Sequence, residues 1–153
     1  MKILYVEDEE SKIKQVIKCI KENFPEYLVE VKNSYTSAII ALNEVKYDLV
    51  LLDMSLPLYD NDFFDEDEIN EFETFAGIDI LEEMKRVNNF TNVIVITAFD
   101  ILGNDGYSVT LEQLNEKMID NYAPFYKGII YYNILSLEWS SILKDYIKKL
   151  SCN

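Results

Sequence analysis

The chain has 153 residues, of which 49% are apolar and 27% are charged, a composition typical of a globular domain. We therefore expect a single domain over residues 1–153. Lys and Arg number 14 against 28 Asp and Glu, which gives a formal net charge of −14 at pH 7. A chain this acidic repels nucleic acid and anionic lipid, so we expect no direct nucleic-acid binding and no membrane partner.

The sequence contains no histidine and only two cysteines, Cys19 and Cys152. The lack of histidine excludes Ser-His-Asp triads, Cys-His pairs and histidine-based zinc sites. Two cysteines are too few for a disulfide scaffold and fit a reducing compartment. The N-terminus lacks a signal peptide, and no window approaches the roughly 18 apolar residues of a membrane span. We therefore expect a cytoplasmic protein.

Five short apolar runs alternate with stretches of helical spacing, which predicts an α/β domain with a parallel sheet. The first, third and fourth runs are nearly continuous in Ile, Leu and Val, as expected for strands covered on both faces. In chain order, the predicted strands are residues 3–6, 27–31, 48–52, 93–97 and 123–126. A predicted helix follows each of them, and the last helix closes the chain.

Two segments exceed this minimal α/β pattern and are predicted to be insertions. Residues 58–75 contain eight acids, four phenylalanines and no base. We expect a solvated or partner-facing segment there, because the alternative, a calcium loop, would need the spacing and glycine of an EF-hand. Residues 101–109 hold Gly103 and Gly106 and predict a turn-rich loop.

Acidic residues follow two of the predicted strands directly, with Glu7 and Asp8 after the first and Asp53 after the third. Ligands of open α/β sheets bind beyond the carboxyl ends of the strands. Three carboxylates that converge there repel one another, and a divalent cation relieves the repulsion. We expect Mg²⁺, because it binds a few carboxylates and keeps several waters.

The fourth predicted strand ends with Thr97, and Lys127 follows the fifth. A hydroxyl and an ammonium are therefore expected at the same edge as the carboxylates. Such a set suits a phosphoryl group, whose charge the metal and Lys127 would spread while Thr97 donates a hydrogen bond.

Four motifs stand in order at the predicted strand ends. They are ILYVEDE at residues 3–9, DLVLLDMSLP at 48–57, VITA at 95–98 and FYK at 125–127. With this set the chain resembles the receiver domain of two-component response regulators over nearly its whole length, apart from the two insertions. The resemblance implies a flavodoxin-like, doubly wound sheet of five parallel strands in the order 2-1-3-4-5, with flanking helices.

The resemblance also implies roles for the residues around the first and third strands. Asp53 matches the aspartate that accepts a phosphoryl group from the phosphohistidine of a sensor histidine kinase or phosphotransfer protein. Glu7 and Asp8 match the acid pair that holds Mg²⁺, and the main-chain carbonyl of Ser55 matches a further metal ligand. Ser55 also occupies one of two variable positions that influence the lifetime of the phosphoryl group.

Further roles are implied at the ends of the last two strands. Thr97 matches the switch hydroxyl, Lys127 matches the lysine that pairs with the phosphoryl group, and Phe99 occupies the second variable position. The chain departs from the family pattern at two places. Gly128 stands where a proline usually follows the lysine, and Pro124 stands where an aromatic often moves inward on activation.

We therefore predict a response regulator that is phosphorylated on Asp53, catalyses only its own phosphorylation and dephosphorylation, and signals to a downstream protein by a conformational change. A homodimer is compatible with the family. If the chain is complete, it has no room for a separate output domain. One alternative is a receiver-like interaction module that does not use phosphate, which Gly128, Pro124 and the acidic segment favour. The other is a small-molecule phosphatase of the haloacid dehalogenase type, which would need an aspartate at Ser55.

Overall fold

The fold is built on a five-stranded parallel sheet. The structure is a computed structural model that describes residues 1–60, 72–73, 76–98, 101–102 and 109–152. The strands are β1 (Lys2–Val6), β2 (Leu28–Lys32), β3 (Leu49–Leu52), β4 (Leu56–Pro57), β5 (Phe72–Glu73), β6 (Asn92–Thr97), β7 (Ile101–Leu102), β8 (Val109–Thr110) and β9 (Tyr126–Tyr131). The helices are α1 (Glu10–Asn23), α2 (Tyr35–Glu44), α3 (Ala76–Arg86), α4 (Leu111–Tyr122) and α5 (Glu138–Ser151).

The order of the main sheet is β2-β1-β3-β6-β9, and every neighbouring pair in it is parallel. Counted among these five strands alone, the order is second, first, third, fourth, fifth. The predicted doubly wound architecture is therefore confirmed. Two short antiparallel pairs, β4 with β5 and β7 with β8, lie apart from this sheet.

The two predicted insertions fall mostly outside the described residues. Of residues 58–75, the structure describes 58–60 and the strand β5, and of residues 101–109 it describes β7 and the start of β8. The segment after β4 returns to α2, where the Thr36 amide donates to the carbonyl of Leu58 (3.0 Å) and the Ser37 hydroxyl to Asp60 (3.0 Å).

Helices cover both faces of the sheet, which explains why β1, β3 and β6 are continuous apolar runs. Ile3 and Tyr5 of β1 pack with α1 and α5, and Leu4 and Val6 pack with the face that α2, α3 and α4 cover. This alternation follows from the two-residue period of a strand. None of the helices in the described part of the chain is both long and apolar enough to cross a membrane.

The last strand of the sheet differs from its predicted position. It runs from Tyr126 to Tyr131 instead of over residues 123–126, which here form a turn and the first strand residue. Pro124 has no N–H to donate to a strand neighbour, so it fits the turn and not the strand. Gly128 lies inside the strand with a φ of +156°, and Tyr146 of α5 packs over it: a Cβ there would come within 2.1 Å of the tyrosine hydroxyl oxygen.

Candidate functional site

Glu7, Asp8 and Asp53 meet at the carboxyl edge of β1 and β3. These strands are neighbours with Val6 opposite Leu52, so the residues that follow them lie side by side. One carboxylate oxygen from each acid lies within 4.8 Å of the other two. Glu7 and Asp53 are buried, and Asp8 is half-buried. Three converging carboxylates of this kind fit a hard divalent cation that binds oxygen.

Backbone hydrogen bonds hold the two buried acids in place. The Glu7 amide donates to the carbonyl of Lys32 (3.0 Å) and the Asp53 amide to that of Val6 (3.1 Å), which extends the strand pairing to the acids themselves. The Met54 amide donates to Asp53 Oδ1 at 2.9 Å. Glu7 Oε1 accepts from the amides of the next two residues, both at 3.2 Å. The backbone therefore fixes where both carboxylates point.

The start of α3 packs directly against the loop that carries Asp53. The Gly77 amide donates to the carbonyl of Met54 at 3.0 Å. A Cβ at position 77 would lie 2.7 Å from the Asp53 carbonyl oxygen, closer than a side-chain carbon can approach a backbone atom. Glycine is thus needed here for the close approach between the helix and the loop.

The acid cluster is electrostatically strained. Burial, followed by the charge of Asp53, raises the pKa of Glu7 to about 7, although Lys12 acts in the opposite direction. Burial and the same aspartate also raise the pKa of Asp8. A bound divalent cation would reverse both effects, because it stabilises the charged carboxylates. The electrostatics of the cluster therefore agree with a cation site.

Lys12 joins this site from the first turn of α1 and is not among the site residues that the sequence predicts. Its side chain is 1% exposed. The ammonium lies 2.6 Å from Glu7 Oε2 and 3.5 Å from Asp53 Oδ1, and it donates to the carbonyl of Ile96 at 2.9 Å. Among the described residues, Lys12 is the partner of Glu7 Oε2, and the contact is an ion pair. The Lys12 ammonium also lies 5.7 Å from the centre of the Tyr132 ring.

A sequence signal for Lys12 exists. Its position precedes Val16, Cys19 and Ile20 at helical spacing, and those three are the buried apolar residues of α1. A lysine on the core face of an amphipathic helix is unusual, because lysine is almost never fully buried unless it is paired. Cys19 itself packs as a small apolar residue on that face.

Thr97 lies where the sequence places it, and Lys127 does not. Thr97 is the last residue of β6, is fully buried, and accepts a hydrogen bond from the Tyr132 amide on its carbonyl (2.8 Å). Lys127 is the second residue of β9, is exposed, and lies level with the start of β6, between the partners of Val93 and Ile94. That is about 13 Å along the strand from Tyr131 at the carboxyl edge.

The prediction that Lys127 stands at the carboxyl edge is therefore wrong. The predicted strand ends at Tyr126, whereas β9 begins at Tyr126. Tyr131 is the residue that pairs with Thr97. Ser55 is half-buried in the loop after β3, two positions beyond Asp53. Phe99 lies outside the described residues.

Comparisons with known proteins identify relatives of the chain and solved structures of similar fold. No protein-family model matches the sequence. The chain is 30% identical over 155 aligned positions to the Detocs response regulatory protein DtcB of Enterobacter cloacae, an alignment that covers 99% of each protein. Its fold is similar to that of the Francisella response regulator 1452 receiver domain (17% identity, TM-score 0.64, 97% of this chain and 94% of that one).

A manganese-bound form of the response regulator Rcp1 also has a similar fold, with 18% identity and a TM-score of 0.62 over 94% of this chain and 89% of that one. The likeness to these two structures concerns the fold, and the DtcB relative covers the whole length at 30% identity. From the parallel sheet, the acids at its carboxyl edge and this relative, we conclude that the chain belongs to the response regulator family and folds as a receiver domain.

Proposed function

We propose that the chain accepts a phosphoryl group on Asp53 from the phosphohistidine of a sensor histidine kinase or a phosphotransfer protein. The observation that carries this proposal is the convergence of Glu7, Asp8 and Asp53 at one strand edge, with oxygens within 4.8 Å of one another. Membership of the response regulator family supports the same reaction. Asp8 and Asp53 would hold Mg²⁺ directly, with Glu7 and the Ser55 carbonyl completing the oxygen set.

In the proposed reaction, a carboxylate oxygen of Asp53 attacks the phosphorus of the partner's phosphohistidine in line. The bond between phosphorus and the imidazole nitrogen breaks, and its electron pair stays on that nitrogen. Mg²⁺, when bound, spreads the charge that develops on the phosphoryl oxygens. The Met54 amide holds Asp53 Oδ1 at 2.9 Å and thereby orients the carboxylate for attack. Hydrolysis of the aspartyl phosphate by water would return the protein to its first state.

The signal would leave the site through Thr97. Its hydroxyl would donate to a phosphoryl oxygen, and its carbonyl is already bonded to the amide of Tyr132, just beyond β9. A shift of Thr97 toward the phosphoryl group would therefore bias the conformation of the segment after β9 as well as that of the segment after β6. A downstream protein would recognise that change by binding to this chain, either as a monomer or as a homodimer.

The experiment is Mg²⁺-dependent phosphorylation by a small phosphoramidate donor, measured as incorporated phosphate in the wild type and two variants. Asp53→Asn should abolish incorporation. Asp48→Asn is the matched control: it makes the same change just before the amino end of β3, where Asp48 is exposed and accepts from the Lys2 amide (2.7 Å). Its incorporation should equal that of the wild type. Equal incorporation in Asp53→Asn would contradict the proposal.

One observation favours a second candidate function, the interaction module that does not use phosphate. Lys12 already places a positive charge 2.6 Å from Glu7 and 3.5 Å from Asp53, so part of the charge that calls for a metal is balanced without one. Calorimetric titration with Mg²⁺ separates the two functions. A receiver that uses phosphate binds Mg²⁺ and loses it in Asp53→Ala, whereas the interaction module binds no Mg²⁺ at this site.

A further inference from the structure

The carboxyl edge of the sheet carries a lysine, but it comes from a different element than the resemblance implies. Tyr131 ends β9, Tyr132 follows it, and Lys127 lies about 13 Å back along the strand from Tyr131. We propose that Lys12 of α1 binds the phosphoryl group on Asp53 and takes the part that Lys127 was expected to have. This inference rests on the proposed function of Asp53.

The ammonium of Lys12 lies over the ends of four of the five strands. It contacts Glu7 after β1 and Asp53 after β3, it bonds to the Ile96 carbonyl near the end of β6, and it lies over the ring of Tyr132 after β9. A phosphoryl group attached to Asp53 would come within reach of this ammonium, which lies 3.5 Å from Asp53 Oδ1. The cation is therefore placed at ion-pair distance from the carboxylate that would gain the charge.

The hydrogen-bonding capacity of Lys12 fits this part. An ammonium has three N–H donors, and Lys12 directs its ammonium at the Ile96 carbonyl (2.9 Å), Glu7 Oε2 (2.6 Å) and Asp53 Oδ1 (3.5 Å). The longest of these contacts, to Asp53, is the one that a phosphoryl oxygen on Asp53 would replace. A lysine binds phosphate as a point charge, so it needs no paired geometry.

Local physics alone disfavours a lysine at this position. Lys12 is the third residue of α1, at the positive end of the helix dipole, where an acid is favoured and a base is not. It is also fully buried on a face whose other members are Val16, Cys19 and Ile20. A purely structural role, in which Lys12 only balances the charge of Glu7, would also explain its burial. The experiment must therefore separate charge balance from phosphoryl binding.

The experiment compares the binding of Mg²⁺ alone with that of Mg²⁺ and beryllofluoride, a phosphoryl mimic, followed by the fluorescence of Trp139. This residue is the sole tryptophan of the chain, and its ring centre lies 5.0 Å from that of Tyr132. In Lys12→Met we expect beryllofluoride binding to weaken by about 100-fold, the loss typical of removing one charge-stabilising donor. Binding of Mg²⁺ alone should be kept, because the metal ligands remain and a competing cation is gone.

Lys127→Met is the matched control and should bind both ligands like the wild type. If Lys12→Met binds beryllofluoride like the wild type, or weakens Mg²⁺ and beryllofluoride binding equally, Lys12 does not act on the phosphoryl group. A loss in Lys127→Met would likewise overturn the assignment. Failure of the wild type to bind beryllofluoride would instead refute the proposed function of Asp53 and, with it, this inference.

A measurement on the unaltered protein covers the case in which Lys12→Met does not fold. The ε-methylene signals of Lys12 in a carbon–proton NMR spectrum should shift when beryllofluoride is added to the Mg²⁺-bound protein, and those of Lys127 should not. The Met54 amide, which bonds to Asp53, reports that the mimic has bound. A shift of the Met54 signal with an unchanged Lys12 signal would overturn the inference.

Discussion

Tyr5 offers a sensitive test of the physical reasoning about this site. It is the fourth of the five residues of β1, is fully buried, and its hydroxyl has no hydrogen-bond partner in the part of the chain that the structure describes. Burial, with the charges of Glu7 and Asp53, raises the pKa of the phenol well above its usual value, so the hydroxyl stays neutral. Leaving such a group unpaired costs about 1–3 kcal/mol. Tyr5→Phe removes the oxygen and keeps the ring, so we expect the free energy of unfolding to rise by about 1 kcal/mol.

Tyr126→Phe is the matched control, because it makes the same chemical change at another buried tyrosine of the sheet. The Tyr126 hydroxyl donates to Asn115 Oδ1 at 2.6 Å, so its removal leaves that oxygen without this donor. We expect a loss of about 1 kcal/mol, opposite in sign to the change in Tyr5→Phe. Urea unfolding of both variants at one pH measures the difference, and each kcal/mol should move the melting temperature by about 2–4 °C. If Tyr5→Phe destabilises as much as Tyr126→Phe, the Tyr5 hydroxyl has a partner and the reasoning is refuted.

Three further predictions follow from described contacts. Gly77→Ala should destabilise the protein by about 1 kcal/mol and weaken beryllofluoride binding, since the overlap with the Asp53 carbonyl outweighs the better helix propensity; a more stable variant would contradict this. Gly128→Ala should destabilise it through contact with the Tyr146 hydroxyl, and adding Tyr146→Phe should recover part of the loss in a double-mutant cycle. The pKa of Glu7 in the folded state, about 7, lies above its ordinary 4.5, so its stabilising contribution is complete below about pH 4.5 and is lost as the pH rises through about 7. Without metal, the stability of the wild type relative to Glu7→Gln should fall over that range, and a constant difference would contradict the assignment.

The fold and the acid cluster were predictable because both depend on strands that are buried on two faces. Continuous apolar runs mark β1, β3 and β6 within one or two residues, and they fix where each strand ends. Residues that follow neighbouring parallel strands must meet at one edge, which is why Glu7, Asp8 and Asp53 could be grouped from their positions alone.

The position of β9 was not predictable from local sequence. The segment at residues 125–127 has the appearance of a strand end followed by a lysine, but tertiary packing places it at the start of the strand. The strand pairs with β6, and its Gly128 lies under Tyr146 of α5, so its neighbours are residues that no local pattern relates. Lys12 could be recognised as a charge on an apolar helix face. However, only the topology of the sheet shows that α1, which carries Lys12, begins over the strand ends.

The exposed position of Lys127 has a consequence for how the sheet meets other molecules. An open sheet has two edge strands, here β2 and β9, each with backbone groups that could pair with a strand of another chain. Lys127 projects into solvent on one of them, and Glu30 and Lys32 form an ion pair (3.6 Å) on the other. A strand that added to either edge would have to strip water from these charges. Both borders of the sheet thus carry charges that oppose the edge-to-edge pairing that leads to aggregation.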